Sequence, residues 1–140
     1  MCAARFGRFV IRRYVVGLLG RIGGPAIWAP DAKELAAFYA AALGCEVGEG
    51  YADESGEPVA VPVRAGAMTC FFVTARSFRR PDWPREELPF HLDLVFDDIP
   101  ATVERLLGLG ATKPDFQPGG DRWTVLLDPS GQPFCISRPH

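Results

Sequence analysis

The stretch HLDLVFDD, residues 91–98, sets a histidine and an aspartate two positions apart in an alternating segment. Residues i and i+2 of a strand share a face, so His91 and Asp93 can meet one partner. A carboxylate beside an imidazole raises its pKa or fixes its tautomer, which suits a general base. The same pair can instead do no more than satisfy its own hydrogen bonds. His-x-Asp also opens the facial triad of iron oxygenases, which needs a distal histidine on a neighbouring strand. The chain holds two histidines, and the other, His140, lies beyond a proline at the end of the sequence, which disfavours the triad.

Four cysteines, Cys2, Cys45, Cys70 and Cys135, are widely spaced and form no C-x-x-C pair. That is neither a zinc nor a redox signature, and it suits a reduced, cytoplasmic protein. Cys135 has no evident helix N-terminus or fixed cation beside it, so a role as a buried small hydrophobe is expected before a nucleophilic one. Trp83 stands in the Pro- and charge-rich segment RRPDWPR and Trp123 follows Arg122. Each could stack on a planar ligand or pack its loop onto a sheet. Asp121-Arg122 fits an anion clamp or a solvated edge.

These residues need elements to hold them. Pro30-Asp31 marks a helix start, with Glu34 at capping-box spacing, and Leu35, Phe38, Tyr39 and Leu43 recur at helical spacing up to Gly44. A second helix begins near Asp97-Asp98, with Pro100 in its first turn, and runs through Val103, Leu106 and Leu107 to Gly110. Strand-like runs cover Val59–Val63, Met68–Val73, His91–Phe96, Trp123–Leu127 and Phe134–Ser137. In the second, third and last of these, one face is apolar and the other mixed. The mixed faces carry Thr69 and Phe71, His91 and Asp93, and Cys135 and Ser137.

The two halves repeat. Asp31 to Gly44 and Asp97 to Gly110 are equally long, both end in Leu-Gly, and the offset is 66 (97 − 31). That offset carries Met68-Thr69-Cys70 onto Phe134-Cys135-Ile136, and Pro25 onto His91. Each half reads strand, helix, then a short antiparallel meander, with Ser77–Phe90 between them.

With 140 residues, 48% of them hydrophobic and 23% charged, the chain is long enough for one globular domain with a real core. A net charge of −2 gives no reason to expect nucleic acid, and no apolar run is long enough to span a membrane. Residues 1–21 hold five arginines and no acid, and their apolar run Val15–Leu19 is shorter than a signal-peptide core. A basic N-terminal extension over 1–19 is expected. Part of Arg8–Leu19 is expected to pack as an added strand or arm.

DAKELAAFYAAALG at 31–44, HLDLVFDD at 91–98, LGLGAT at 107–112 and DPSGQPFCIS at 128–137, set in this repeat, resemble the glyoxalase/bleomycin-resistance/extradiol-dioxygenase (vicinal oxygen chelate) superfamily, in its glyoxalase-like branch. The resemblance implies an α+β fold over residues 20–138. Two tandem βαβββ modules, about 20–76 and 88–138, would form a cupped, mostly antiparallel sheet with helices on its outer face. The cup would bind a small organic molecule, with Thr69, Phe71, Trp83, His91, Asp93, Trp123, Cys135 and Ser137 as lining and His91 and Asp93 as candidate acid–base residues.

Metal-dependent members draw one ligand from the first and one from the last strand of each module. Those positions here are Pro25, Thr69, His91 and Cys135, and only the last two can bind a transition metal, so no metal cofactor is expected. The resemblance also implies a homodimer. Its alternatives are a metal-dependent lyase or dioxygenase, and a drug-sequestering protein of the bleomycin-resistance type.

Overall fold

The computed structural model describes residues 20–140. The expectation for the arm falls on residues outside this range.

The first module runs β1 (Ala26–Ala29), α1 (Ala32–Leu43), β2 (Tyr51–Ala52), β3 (Pro58–Ala65) and β4 (Met68–Thr74). The second runs β5 (Leu92–Val95), α2 (Ile99–Gly108), β6 (Thr124–Leu127) and β7 (Pro133–Ser137). The fold is α+β, built of βαβββ-type modules.

Local chemistry explains the helix limits. The Asp31 carboxylate accepts from the backbone N–H groups of Lys33 and Glu34 at 2.9 and 3.1 Å, satisfying two donors that the first turn leaves free. Gly44 closes α1 in the left-handed region at φ 68°, its N–H returning to Ala40 O. In α2 the capping residue is Asp98, which accepts from Ala101 N at 3.0 Å, and Pro100 fills the first turn. No basic residue stands in the last turn of α1. Arg105 of α2 supplies that charge, donating to Ala41 O and Ala42 O at 3.1 and 2.9 Å.

The expected sheet is divided in two. One sheet has the order β1-β4-β3-β2 and the other β5-β7-β6. The β1–β4 and β5–β7 pairs are parallel, and the remaining pairs are antiparallel. In the second module the outer strand survives as a single bridge, Thr112 to Leu127. Pro114, Pro118 and Gly119-Gly120 interrupt what would follow it, since proline has no N–H for a ladder. The Gln117 side chain takes over there: its amide donates to Val125 O at 2.9 Å and accepts from Val125 N at 2.8 Å. A side chain thus stands in for a strand residue.

One core joins both modules. Tyr39 of α1 stacks on Phe72 of β4 at 5.0 Å and meets Phe134 of β7 edge-on at 5.8 Å. Phe72, Phe134, Leu126 and Ile136 are fully buried. Each such side chain contributes roughly 1.5–3 kcal/mol by leaving water. With the helices between the sheets, the described residues leave the opposite face of each sheet open.

Candidate functional site

Strand alternation decides which side chains reach the open face of the second sheet. Leu92 pairs with Phe134 on the core side, and Asp93 pairs with Cys135 on the open side. Cys135 therefore points away from the helices, as the mixed-face pattern predicts. His91 precedes β5 and, two residues from Asp93, returns to the same side. His91 Nε2 lies 3.2 Å from Asp93 Oδ1, with both side chains at least half exposed. One ligand atom from each of His91, Asp93 and Cys135 can be chosen so that all three lie within 4.8 Å of one another. Sequence spacing shows the first pair; only the β5–β7 register brings in the third.

Electrostatics restricts what this trio can do. The Cys135 thiol is pushed up to about 11, first by burial and then by the charge of Asp93 and a hydrogen bond to it. It therefore stays protonated near neutral pH and is a poor nucleophile. Among the described residues, no cation lowers it.

The trio sits in an open groove of about 1540 Å³ that also takes in Trp83, Trp123 and Ser137. Trp83 is tilted against Phe116 with ring centroids 5.6 Å apart, tying the inter-module segment to the loop before β6. The Arg122 guanidinium lies 4.7 Å over the Trp123 ring, a cation–π contact on the wall. Lys113, Arg122 and Arg138 also line the groove, and among the described residues none of them is in an ion pair. Phe116 and Lys113 were not singled out from sequence. Both lie in the proline-broken segment where periodicity carries no signal.

Two expected lining residues are elsewhere. Thr69 and Phe71 belong to β4 of the first sheet, and neither lines this groove. Phe71 instead meets Tyr51, with ring centroids 6.2 Å apart. The cause is the division of the sheet: among the described residues β1 and β5 are edge strands, so the first module's open face is not continuous with the second's.

The superfamily's metal positions do not fit a metal here. Pro25 shares a side with Ile27, whose partner Phe72 is in the core, so its alternation differs from that of His91. The helix caps Asp31 and Asp98 show why: they are 67 apart (98 − 31), one more than the offset read from sequence. His91 then corresponds to Gly24, where an added Cβ would sit 1.7 Å from Thr69 O. Glycine, proline and threonine offer no useful metal ligand, so the first module contributes none. The second module supplies three donors, one more than the superfamily positions predict, because Asp93 is not among those positions.

Comparisons with known proteins agree with this architecture. No curated protein matches the chain. A glyoxalase family protein from Enterococcus faecalis has a similar structure, with a TM-score of 0.65 at 22% identity, covering 86% of this chain and 98% of its own. A mutant of the fosfomycin resistance protein FosX from Listeria monocytogenes, complexed with Mn(II) and 1S,2S-dihydroxypropylphosphonic acid, gives 0.68 at 13% identity, covering 88% and 95%. A glyoxalase/bleomycin resistance protein/dioxygenase family enzyme from Burkholderia phytofirmans PsJN gives 0.59 at 21%, covering 81% and 94%. At these identities the likeness is one of fold. The family description "Glyoxalase-like domain" matches residues 26–137, from the first residue of β1 to the last of β7, and the chain belongs to that family, within the vicinal oxygen chelate superfamily.

Proposed function

We propose that this protein binds a small organic molecule in the groove of the second sheet, without the metal centre that its superfamily builds between two modules. One observation carries this: a concave surface with the aromatic side chains Trp83 and Trp123 and a few convergent polar groups, His91, Asp93 and Ser137. That is the usual make-up of a small-molecule site. Lys113, Arg122 and Arg138, in no ion pair among the described residues, favour a ligand with negative charge beside a planar apolar part. The protonated Cys135 thiol speaks for reversible binding over covalent catalysis. The phosphonate in the FosX complex is a small anion, bound there with Mn(II).

Among the described residues β1 and β5 are edge strands, and they carry Trp28 and Val95, 62% and 54% exposed. An apolar free edge invites pairing with another chain. We propose a homodimer in which the first sheet of one copy faces the groove of the other, so that Thr69 and Phe71 supply the wall missing within a single chain. Free cysteines in the described residues fit a reducing, cytoplasmic setting.

The test is a thermal-shift screen of aromatic carboxylates and phosphonates, run in chelator, followed by calorimetry on Trp123→Ala. A ligand that raises the Tm of the parent protein and binds Trp123→Ala at least tenfold more weakly supports the groove. A ligand whose affinity Trp123→Ala leaves unchanged places binding elsewhere. A monomer by light scattering, at concentrations where ligand binds, rejects the dimer.

A further inference from the structure

A second, smaller concavity of about 180 Å³ lies at the seam of the two modules, between β4 and β5. Apart from Asp93, its lining is apolar or aromatic. Tyr39 and Phe72, both fully buried, reach it from the core, and Leu92 and Leu94 from β5. Met68 and Val95 also line it and are exposed, so apolar surface runs from the core out to water. β5 is an edge strand among the described residues. Phe96 N donates to Ser137 O of β7 at 2.9 Å, so strand alternation points the N–H groups of Asp93 and Val95 to the outer side of β5. An apolar cleft beside an outermost strand is a template for one more strand.

We propose that Phe9-Val10-Ile11-Arg12 of the same chain docks here, as a strand along the outer side of β5. The segment precedes the described residues, and three of its four residues are aromatic or β-branched, the types that strands favour. It matches the four residues of β5 in length. Alternation sends Phe9 and Ile11 to one face and Val10 and Arg12 to the other. With Phe9 and Ile11 in the cleft, Arg12 comes out on the side of Asp93. Charge favours the same placement: residues 1–21 hold five arginines and no acid, which leaves −7 on the rest of the chain (10 − 17). The chain also joins the fold at this cleft. Gly24 lies against Thr69, where an added Cβ would sit 1.7 Å from Thr69 O, and Thr69 is the neighbour of Met68. The twelve residues from Arg12 to Gly24 can span up to about 40 Å, so reach does not limit the docking. The small-molecule reading does not depend on this contact, and the open face of the first sheet stays available to a second copy.

The test is residue-resolved amide hydrogen exchange by NMR on the full chain. In the parent protein the Asp93 and Val95 amides should exchange at least a hundredfold more slowly than unstructured amides, at a rate independent of protein concentration. The full-length double variant Phe9→Ser/Ile11→Ser should speed both at least tenfold while sparing Leu94, whose N–H faces β7 by the same alternation. Met68→Glu, made at the exposed rim, should give the same loss from the other side of the cleft, and it carries the test if the first variant does not fold. Exchange of Asp93 and Val95 at the unstructured rate in the parent overturns the proposal. So does protection that survives Phe9→Ser/Ile11→Ser. Protection that fades on dilution also overturns it, since a second copy would then be the occupant.

Discussion

Asp128 shows how much one side chain can be asked to hold. It is 1% exposed; its Oδ2 accepts from the Tyr39 hydroxyl at 2.9 Å, and its Oδ1 accepts from Ser130 N and Gln132 N at 2.9 and 3.1 Å. Burial pushes its carboxyl up, against the pull of the hydrogen bonds from Tyr39, Gln132 and Ser130. The folded state thus holds the proton more tightly than the unfolded chain. Its contribution to stability therefore falls as pH rises from about 3.9 through the raised folded value, then levels. Asparagine can keep the geometry, accepting both backbone N–H groups while donating to the Tyr39 oxygen, and it carries no charge. Urea unfolding across pH should show Asp128→Asn gaining on the parent through that window; a flat difference means burial does not dominate. Asp128→Ala should cost about 3 kcal/mol more than Asp128→Asn, because buried donors lose their partner. Cys135 allows a second check. With its thiol raised from 9.0 to about 11, iodoacetamide at pH 8 in chelator should alkylate it about a hundredfold more slowly than an unshifted thiol. Asp93→Asn should speed that reaction, and peptide mapping reads the rate at Cys135 alone.

At the scale of elements, the loop before β6 departs most from the repeat. Gln117 makes three side-chain hydrogen bonds, to Pro114 O, Val125 O and Val125 N. Gln117→Ala should destabilise the fold by about 1–3 kcal/mol. It should also speed hydrogen exchange at the Val125 amide while sparing Leu127, whose N–H is held by Thr112 O. Equal acceleration at both positions would mean the loop acts as a whole and not through the amide. Both helices, the Asp31 cap and the strands β3 to β7 were legible because period and capping chemistry are local. The face carrying His91, Asp93 and Cys135 followed from alternation alone. The approach of Asp93 to Cys135 was not legible, since it depends on the register of two strands far apart in sequence. The one-residue drift of the repeat was hidden by Asp97, which stands beside the true cap Asp98 and matches the spacing equally well. Thr69 and Phe71 were placed in the groove because alternation gives the side of a sheet but not whether two sheets are continuous.

For the whole molecule, the question is whether two modules that repeat in sequence are also two folding units. The packing says they are one. Tyr39 of the first module touches Phe134 and bonds to Asp128 of the second, and Arg105 of α2 caps α1. Neither module keeps a closed core when the other is removed, because α1 is shared between Phe72 and Phe134. Phe134→Ala should therefore cost about 3–5 kcal/mol, as large-to-small changes at fully buried aromatic sites do. The loss should be felt in both modules. Native-state hydrogen exchange under mild denaturant resolves it: slowly exchanging amides of β3 and β4 should lose as much protection as those of β6 and β7, in a single cooperative unfolding step. If β3 and β4 keep their protection while β6 and β7 lose theirs, the modules unfold separately and the shared aromatic cluster does not couple them.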